Sequence, residues 1–250
     1  MTGRVTIAGL GPGAEDLVTP QVSAALAEAT DVVGYIPYVK RVAPRDGLTL
    51  HATDNRVEVE RAAHALEMAA EGKRVVVVSS GDPGVFAMAA AVFEALEAGP
   101  AAWREIEIDV LPGITAMLAA SARAGAPLGH DFCAINLSDN LKPWELIEKR
   151  LRLAVEGDFA MAFYNPRSKS RPEGFGRALA LLKQACGDNR PIIFARAVST
   201  PEEHILTVPL QQATEEMADM RTVVIVGSSL TRIVERPIGN LVYTPRSVPV

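Results

Sequence analysis

Short apolar runs alternate along the chain with longer amphipathic ones. Residues 5–8 (Val-Thr-Ile-Ala) form a β-rich run that stops at Gly9-Leu10-Gly11-Pro12-Gly13. Asp16 or Thr19 stands where it can cap a helix over residues 20–29, with Pro20 in the first turn. A second strand is predicted over residues 31–34, leading into Gly34-Tyr35-Ile36-Pro37-Tyr38. Over residues 56–71 Val, Ala, Leu and Met recur among Glu and Arg at helical spacing, and Gly72 stops that helix. Residues 73–79 carry four consecutive valines. Such an uninterrupted β-branched run reads as a strand covered on both faces, which means a parallel sheet. A Gly-Asp-Pro-Gly turn then leads into an alanine-rich helix over 85–98, and a strand follows over 106–111. The first half is thus βαβαβ.

Pro112-Gly113 turns the chain into a small-residue helix over 114–124, which Gly125-Ala126-Pro127 ends. A domain boundary is placed there, giving an N-terminal domain over 1–124 and a C-terminal domain over 125–250. The second half repeats the alternation. Strands are predicted over 132–137, 158–164, 191–197 and 222–226, and helices over 143–156 and 174–184, with a short one around 210–217. The fold class expected is α/β, two α/β domains in tandem, with ligands at the C-terminal ends of the strands.

Composition narrows the function classes. The chain has 250 residues, 48% of them apolar and 22% charged, which is globular and ample for a core. The net charge is −5 and no Lys/Arg cluster tracks a phosphate backbone, so no nucleic-acid partner is expected. Cys133 and Cys186 form no CxxC and the four histidines are scattered, so no metal site is expected. A strand pattern begins within four residues of the N-terminus and no apolar run approaches membrane-spanning length. The expectation is a cytoplasmic protein with no membrane partner.

Three Gly/Pro loops follow successive strands. Gly9-Leu10-Gly11-Pro12-Gly13-Ala14 fits the dinucleotide fingerprint G-x-G-x-x-G/A in the required strand-to-helix context. Against that reading, Pro12 removes a backbone donor and no acidic residue ends the second strand, since Asp31 precedes it. No Gly-Lys-Ser/Thr supports a Walker A loop, and a plain tight turn is the competing reading. In Ser79-Ser80-Gly81-Asp82-Pro83-Gly84 the glycines permit close ligand approach and Asp82 brings a carboxylate, yet a type I or II turn explains it as well. Leu111-Pro112-Gly113-Ile114-Thr115-Ala116 repeats the geometry, with Thr115 also readable as a helix cap.

In order, Gly9-x-Gly11-Pro12-Gly13-x-x-Asp16-Leu17-x-Thr19, Ser80-Gly81-Asp82-Pro83-Gly84-Val85-Phe86 and Pro112-Gly113-Ile114-Thr115-Ala116 resemble the signatures of the tetrapyrrole methylases, the class III S-adenosylmethionine methyltransferases. The resemblance runs over essentially the whole chain to Thr222–Gly227. Gly34-Tyr35-Ile36-Pro37-Tyr38-Val39, Leu137-Ser138-Asp139 with Pro143-Trp144-Glu145, and Phe163-Tyr164-Asn165-Pro166-Arg167-Ser168 resemble its ring-contracting branch, which methylates precorrin-3B at C-17 in corrin (cobalamin) synthesis. Where that branch usually has an aliphatic residue and a threonine, this chain has Asn140 and Lys142.

The resemblance implies S-adenosylmethionine folded in a cleft between the domains, with S-adenosylhomocysteine as product. Carried over by position, Pro12, Ser80, Gly81, Asp82, Val85 and Phe86 line one side of the cofactor, Thr115 and Ala116 meet it from the next loop, and Tyr164, Ala197 and Thr222 come from the second domain. Methyl transfer to a ring carbon needs no nucleophilic side chain, and the resemblance further implies a ring contraction that starts with loss of a hydroxyl proton. Asp139 and His130 are the acid–base candidates, the alternatives being a helix cap and a loop residue. Arg167, Lys169 and Arg171 suit a tetrapyrrole (precorrin) substrate rich in carboxylates, or form an ordinary solvated loop. Tyr35 and Tyr38 are expected to lie against the macrocycle or to pack against the domain interface. The family also suggests a homodimer. The rivals are a relative acting on another precorrin, a cobalt-precorrin, uroporphyrinogen, RNA or protein; an NAD(P)-dependent oxidoreductase; and a tetrapyrrole carrier.

Overall fold

The computed structural model describes residues 3–54, 57–187 and 189–248. The chain divides into two units, residues 1–115 and residues 116–250. The division falls nine residues before the expected boundary, because helix 116–124 belongs with the second unit.

Unit 1 contains β1 (Arg4–Gly9), α1 (Pro20–Glu28), β2 (Asp31–Tyr35), α2 (Ile36–Val39), β3 (Thr49–Thr53), α3 (Glu58–Ala70), β4 (Arg74–Ser79), α4 (Met88–Ala98) and β5 (Glu107–Leu111). Its five strands form one all-parallel sheet in the order β3-β2-β4-β1-β5. The valine run does what its composition predicts. Val75 and Val77 pack with Val5, Ile7 and Val33 under α3 and α4. Val76 and Val78 pack on the other face with Ala8, Val32 and Val22 of α1.

Thr19 caps α1, its hydroxyl accepting from the Val22 amide at 3.3 Å, with Pro20 in the first turn. Arg56, where the pattern starts the third helix, lies outside the described residues. The alanine-rich helix begins at Met88 rather than at residue 85. Phe86 is left-handed (φ 53°), Ala87 is extended, and the Ser79 hydroxyl accepts the Met88 amide at 3.2 Å. Two elements escape the apolar pattern. β3 is a partly exposed edge strand with two threonines and a histidine, and α2 is a single turn around Pro37.

Unit 2 contains α5 (Ala116–Ala124), β6 (Gly125–Ala126), β7 (Phe132–Asn136), α6 (Trp144–Glu156), β8 (Ala160–Tyr164), α7 (Gly174–Ala185), β9 (Pro191–Arg196), β10 (His204–Pro209), β11 (Thr222–Val226), β12 (Arg232–Val234) and β13 (Leu241–Tyr243). The main sheet runs β10-β9-β11-β8-β7. Only β7 and β8 are parallel in it; the other pairs are antiparallel. On one face Phe163, Met161, Ile192, Phe194 and Val224 meet Ile147, Leu151, Phe175 and Leu182 of α6 and α7. α5 packs against β11. The helix expected around 210–217 is two 3-10 turns, Leu210–Gln212 and Glu215–Met217, separated by extended Ala213 and Thr214.

Candidate functional site

In unit 1 the three Gly/Pro loops leave the C-terminal ends of β4, β1 and β5, which are neighbours in the sheet. Leu10 N–H donates to the Ser79 carbonyl at 2.8 Å, and Gly11 and Gly81 exchange backbone hydrogen bonds of 3.2 and 2.9 Å. Both glycines are left-handed, at φ 67° and 64°. A Cβ on Gly9 would stand 2.6 Å from the Gly81 carbonyl oxygen and 2.8 Å from the Gly113 nitrogen. One on Gly113 would stand 2.2 Å from that same oxygen. Three backbones therefore meet at a point that admits no side chain. Asp82 fastens the junction: Oδ1 accepts the Gly84 amide at 2.8 Å and Oδ2 the Gly113 amide at 3.1 Å.

Around this junction Pro12, Ser80 and Val85 are half-buried, and Thr115 is buried. Phe86 stands 47% exposed on left-handed backbone. Such backbone costs energy, and functional loops are where proteins retain it. Among described non-glycine residues the others with positive φ are Asp158, Asn165, Ala197 and Ser199. Three of these four leave the ends of β8 and β9.

At the next strand end Tyr35 and Tyr38 stack edge to face, centroids 5.3 Å apart. Burial, with Tyr35 and Glu58 nearby, pushes the Tyr38 phenol above its ordinary value. Behind them Arg61 is buried, its Nε on the Thr53 hydroxyl at 2.7 Å and its Nη1 on the Met88 sulfur at 3.4 Å.

In unit 2 the expected cofactor residues share one end of the sheet. Tyr164 ends β8, Thr222 opens β11 opposite Arg196, and Ala197 follows β9 with its amide on the Arg221 carbonyl at 2.8 Å. Their polar atoms hold the fold. The Tyr164 hydroxyl accepts the Met117 amide at 3.0 Å, in the first turn of α5. The Thr222 hydroxyl donates to Asp219 Oδ1 at 2.8 Å and accepts the Asp219 amide at 3.1 Å.

The two loops after β7 and β8 are joined through Asn136, whose Oδ1 accepts the Ser138 amide at 2.9 Å and Asn165 Nδ2 at 3.2 Å. Asp139 faces Arg171 at 4.0 Å. Arg167 Nε donates to the Pro172 carbonyl at 3.3 Å, and Lys169 is exposed. Lys142 donates to the Ser138 carbonyl at 2.8 Å. Burial, with Arg150 and Arg171 nearby, lowers its pKa, against the pull of Asp139. Lys142 therefore lies within electrostatic reach of Arg150, Arg171 and Asp139. Trp144 of the same segment is buried in the core under Arg177, whose guanidinium carbon lies 4.5 Å from the ring centroid.

The structure does not bring the two acid–base candidates together. His130, whose Nδ1 accepts the Asp131 amide at 2.8 Å, precedes β7, and Asp139 follows it. Five residues of strand, about 17 Å, separate their ends of the sheet.

One residue escaped the sequence reading. Arg41 lies two residues beyond the Tyr-Ile-Pro-Tyr-Val segment and grips the first glycine loop. Its Nη1 donates to the Gly11 carbonyl at 3.1 Å, and its Nη2 to the Gly13 carbonyl at 3.2 Å and to the Leu10 carbonyl. A lone arginine past a short motif carries no local signal of such a contact.

The tetrapyrrole (corrin/porphyrin) methylase family matches residues 4–214. A precorrin-3B C(17)-methyltransferase of a Sinorhizobium species is 53% identical over 247 residues, which are 98% of this chain and 97% of that one. A probable cobalt-factor III C(17)-methyltransferase of Salmonella typhimurium is 37% identical over 243 residues, covering 97% and 98% of the two chains. The crystal structure of the methyltransferase CobJ matches at TM-score 0.94 and 72% identity, over 97% of this chain and all of that one. The family match spans the ordered glycine loops, the whole first sheet and strands β7 to β10 of the second, and the chain belongs to the tetrapyrrole (corrin/porphyrin) methylases.

Proposed function

We propose that this protein methylates precorrin-3B at C-17, using S-adenosylmethionine, with contraction of the macrocycle to precorrin-4. The observation that carries the reading is the junction of Gly9, Gly81 and Gly113, where three loops of the family signature converge at adjacent strand ends. The near-full-length identity to the Sinorhizobium enzyme, 53% against 37% for the cobalt-factor III relative, supports the metal-free substrate.

The residues fit an adenosyl sulfonium ligand. Close-packed glycine backbone lets a ligand lie against the loops, and exposed Phe86 offers an apolar face. Pro12, Ser80, Gly81, Val85, Phe86, Thr115 and Ala116 line the cofactor in this reading, as do Tyr164, Ala197 and Thr222. S-adenosylmethionine supplies an electrophilic methyl group. The chain's part is to hold the substrate carbon in line with it and to exclude water, so no nucleophilic side chain is required. Lys142, Arg167, Lys169 and Arg171 meet the peripheral carboxylates, and Tyr35 and Tyr38 the ring. Asp139, on the loop beside those cations, is the better placed group to take the hydroxyl proton; His130, at the other end of β7, is not. A cytoplasmic homodimer completes the reading. Among the described residues no helix is long and apolar enough to cross a membrane.

The test is calorimetric titration with S-adenosylhomocysteine, followed by turnover of precorrin-3B and of its cobalt-bearing counterpart. Binding near micromolar, about 8 kcal/mol, and a product heavier by one methylene support the reading. No binding of S-adenosylhomocysteine with binding of NADPH instead overturns it, and methylation of the cobalt form alone overturns the substrate assignment.

A further inference from the structure

We propose that Arg41 is a positioning residue for the cofactor: its guanidinium clamps the carbonyls of Leu10, Gly11 and Gly13, holding the first glycine loop in its binding shape. The inference rests on the reading that this loop holds S-adenosylmethionine.

Leu10 is buried in the core, but the glycines at positions 9, 11 and 13 bring no side chain to anchor the rest of the loop, and glycine loses more backbone freedom on ordering than any other residue. Something outside the loop must fix it. On one side β4 does so, through the Leu10–Ser79 and Gly11–Gly81 backbone bonds. Those bonds leave the carbonyls of Leu10 and Gly13 without a sheet partner, and these, with Gly11, are the groups Arg41 takes. A planar fork with five N–H donors can bridge three carbonyls in fixed geometry; a lysine ammonium on its flexible stem cannot.

The delivery of Arg41 gives the neighbouring motif a second purpose. β4 lies between β2 and β1 in the sheet, so a residue following β2 must reach past the end of β4 to touch the loop of β1. α2 makes that reach. Pro37 sets its first turn, and the amides of Lys40, Arg41 and Val42 bond back to Ile36, Tyr38 and Val39. Val39 and Val42 are buried and anchor the turn on either side of Arg41. The Tyr-Ile-Pro-Tyr-Val segment thus aims an arginine at the cofactor loop as well as presenting two tyrosines.

The experiment compares wild type with Arg41→Lys and Arg41→Met in three readouts: S-adenosylhomocysteine affinity by calorimetry, thermal midpoint, and KM for each substrate. The expected result is affinity weakened about tenfold or more in Arg41→Met and less in Arg41→Lys, with KM for S-adenosylmethionine raised and KM for the tetrapyrrole within about twofold of wild type. Tight binding by wild type and unchanged affinity in both variants overturns the proposal and leaves the functional reading standing. So does a parallel rise of both KM values that follows the loss of thermal stability, the mark of a structural role alone. Failure of wild type itself to bind S-adenosylhomocysteine overturns the functional reading instead. Should Arg41→Met not fold, Arg41→Lys alone decides the matter by the same criteria.

Discussion

Gly113→Ala is the sharpest test of the loop junction. The added Cβ would lie 2.2 Å from the Gly81 carbonyl oxygen and 2.8 Å from that of Gly9. Both obstacles are backbone in tight loops, so neither can swing aside as a side chain would. Restoring ordinary contact needs a shift of roughly 1 Å, and the Gly113 N–H to Asp82 bond of 3.1 Å lies in its path. Overpacking of this kind costs about 1–3 kcal/mol and a weakened charge-assisted bond about 1.5 more, so about 3 kcal/mol in all is expected. For a chain of this size that lowers the thermal midpoint by roughly 6–12 °C. Because the displaced loops are those proposed to hold the cofactor, S-adenosylhomocysteine affinity should fall at least about tenfold. Gly187→Ala is the internal control, since its Cβ meets nothing within 4 Å, and it should be neutral or slightly stabilising. A Gly113→Ala protein with wild-type midpoint and affinity would falsify the packing argument. Equal damage from Gly187→Ala would show that glycine loss in general, not this junction, is responsible.

Three further outcomes follow from single contacts. Asp82→Ala removes both amide bonds and should lower the thermal midpoint as well as the affinity for S-adenosylhomocysteine, with Asp82→Asn intermediate because one acceptor oxygen remains; an unchanged midpoint would mean that Asp82 serves the ligand and not the loops. Asp158→Ala strands the guanidinium of Arg190, whose side chain is 7% exposed, bonded to Asp158 at 2.9 Å and left with Nε and Nη1 unpartnered; the expected loss in urea unfolding is about 3 kcal/mol, and a loss under about 0.5 would refute the pairing. Asp219 is pushed up by burial but more than pulled back by hydrogen bonds from Arg196, Thr222 and the Arg221 amide, so its carboxyl sits below the ordinary value of 3.8. Its contribution is therefore complete above that value and lost as pH falls through the lower folded one. The stability gap between wild type and Asp219→Asn, measured by urea unfolding, should be full at neutral pH and close in acid, and a gap that widens on acidification would reverse the sign of the argument.

What the sequence displayed, and what it hid, divides along physical lines. The valine run at 75–78 announced a strand buried on both faces because nothing but two apolar layers can accommodate it. Edge strand β3 stayed invisible because its threonines and histidine are half in solvent and leave no period to read. The start of α4 was misplaced by three residues because a left-handed Phe86 is not a property of phenylalanine; the loop imposes it. The second domain read as a simple alternation, whereas β10 returns antiparallel to β9 and the 210–217 segment makes turns instead of a helix. Motif spacing located the glycine loops; it could not show Arg41 reaching them, since that contact spans 28 to 31 residues of sequence.

The polar residues of the motifs share a use that their chemistry alone does not suggest. Asp82 spends both carboxylate oxygens on backbone amides, Tyr164 holds the first turn of α5, Thr222 is engaged twice with Asp219, and Trp144 is core. An enzyme that needed a side-chain nucleophile would keep such a group presented and activated by a neighbour. Here these four side chains are spent on geometry. That allocation suits a reaction whose nucleophile is a carbon of the substrate and whose electrophile comes with the cofactor. For such a reaction the barrier is lowered mainly by alignment, and rigidity in the loops is the protein's principal contribution. It follows that loosening the loops, by Arg41→Met or Gly113→Ala, should lower kcat/KM for S-adenosylmethionine, whereas removing the proposed proton acceptor, by Asp139→Asn, should lower kcat.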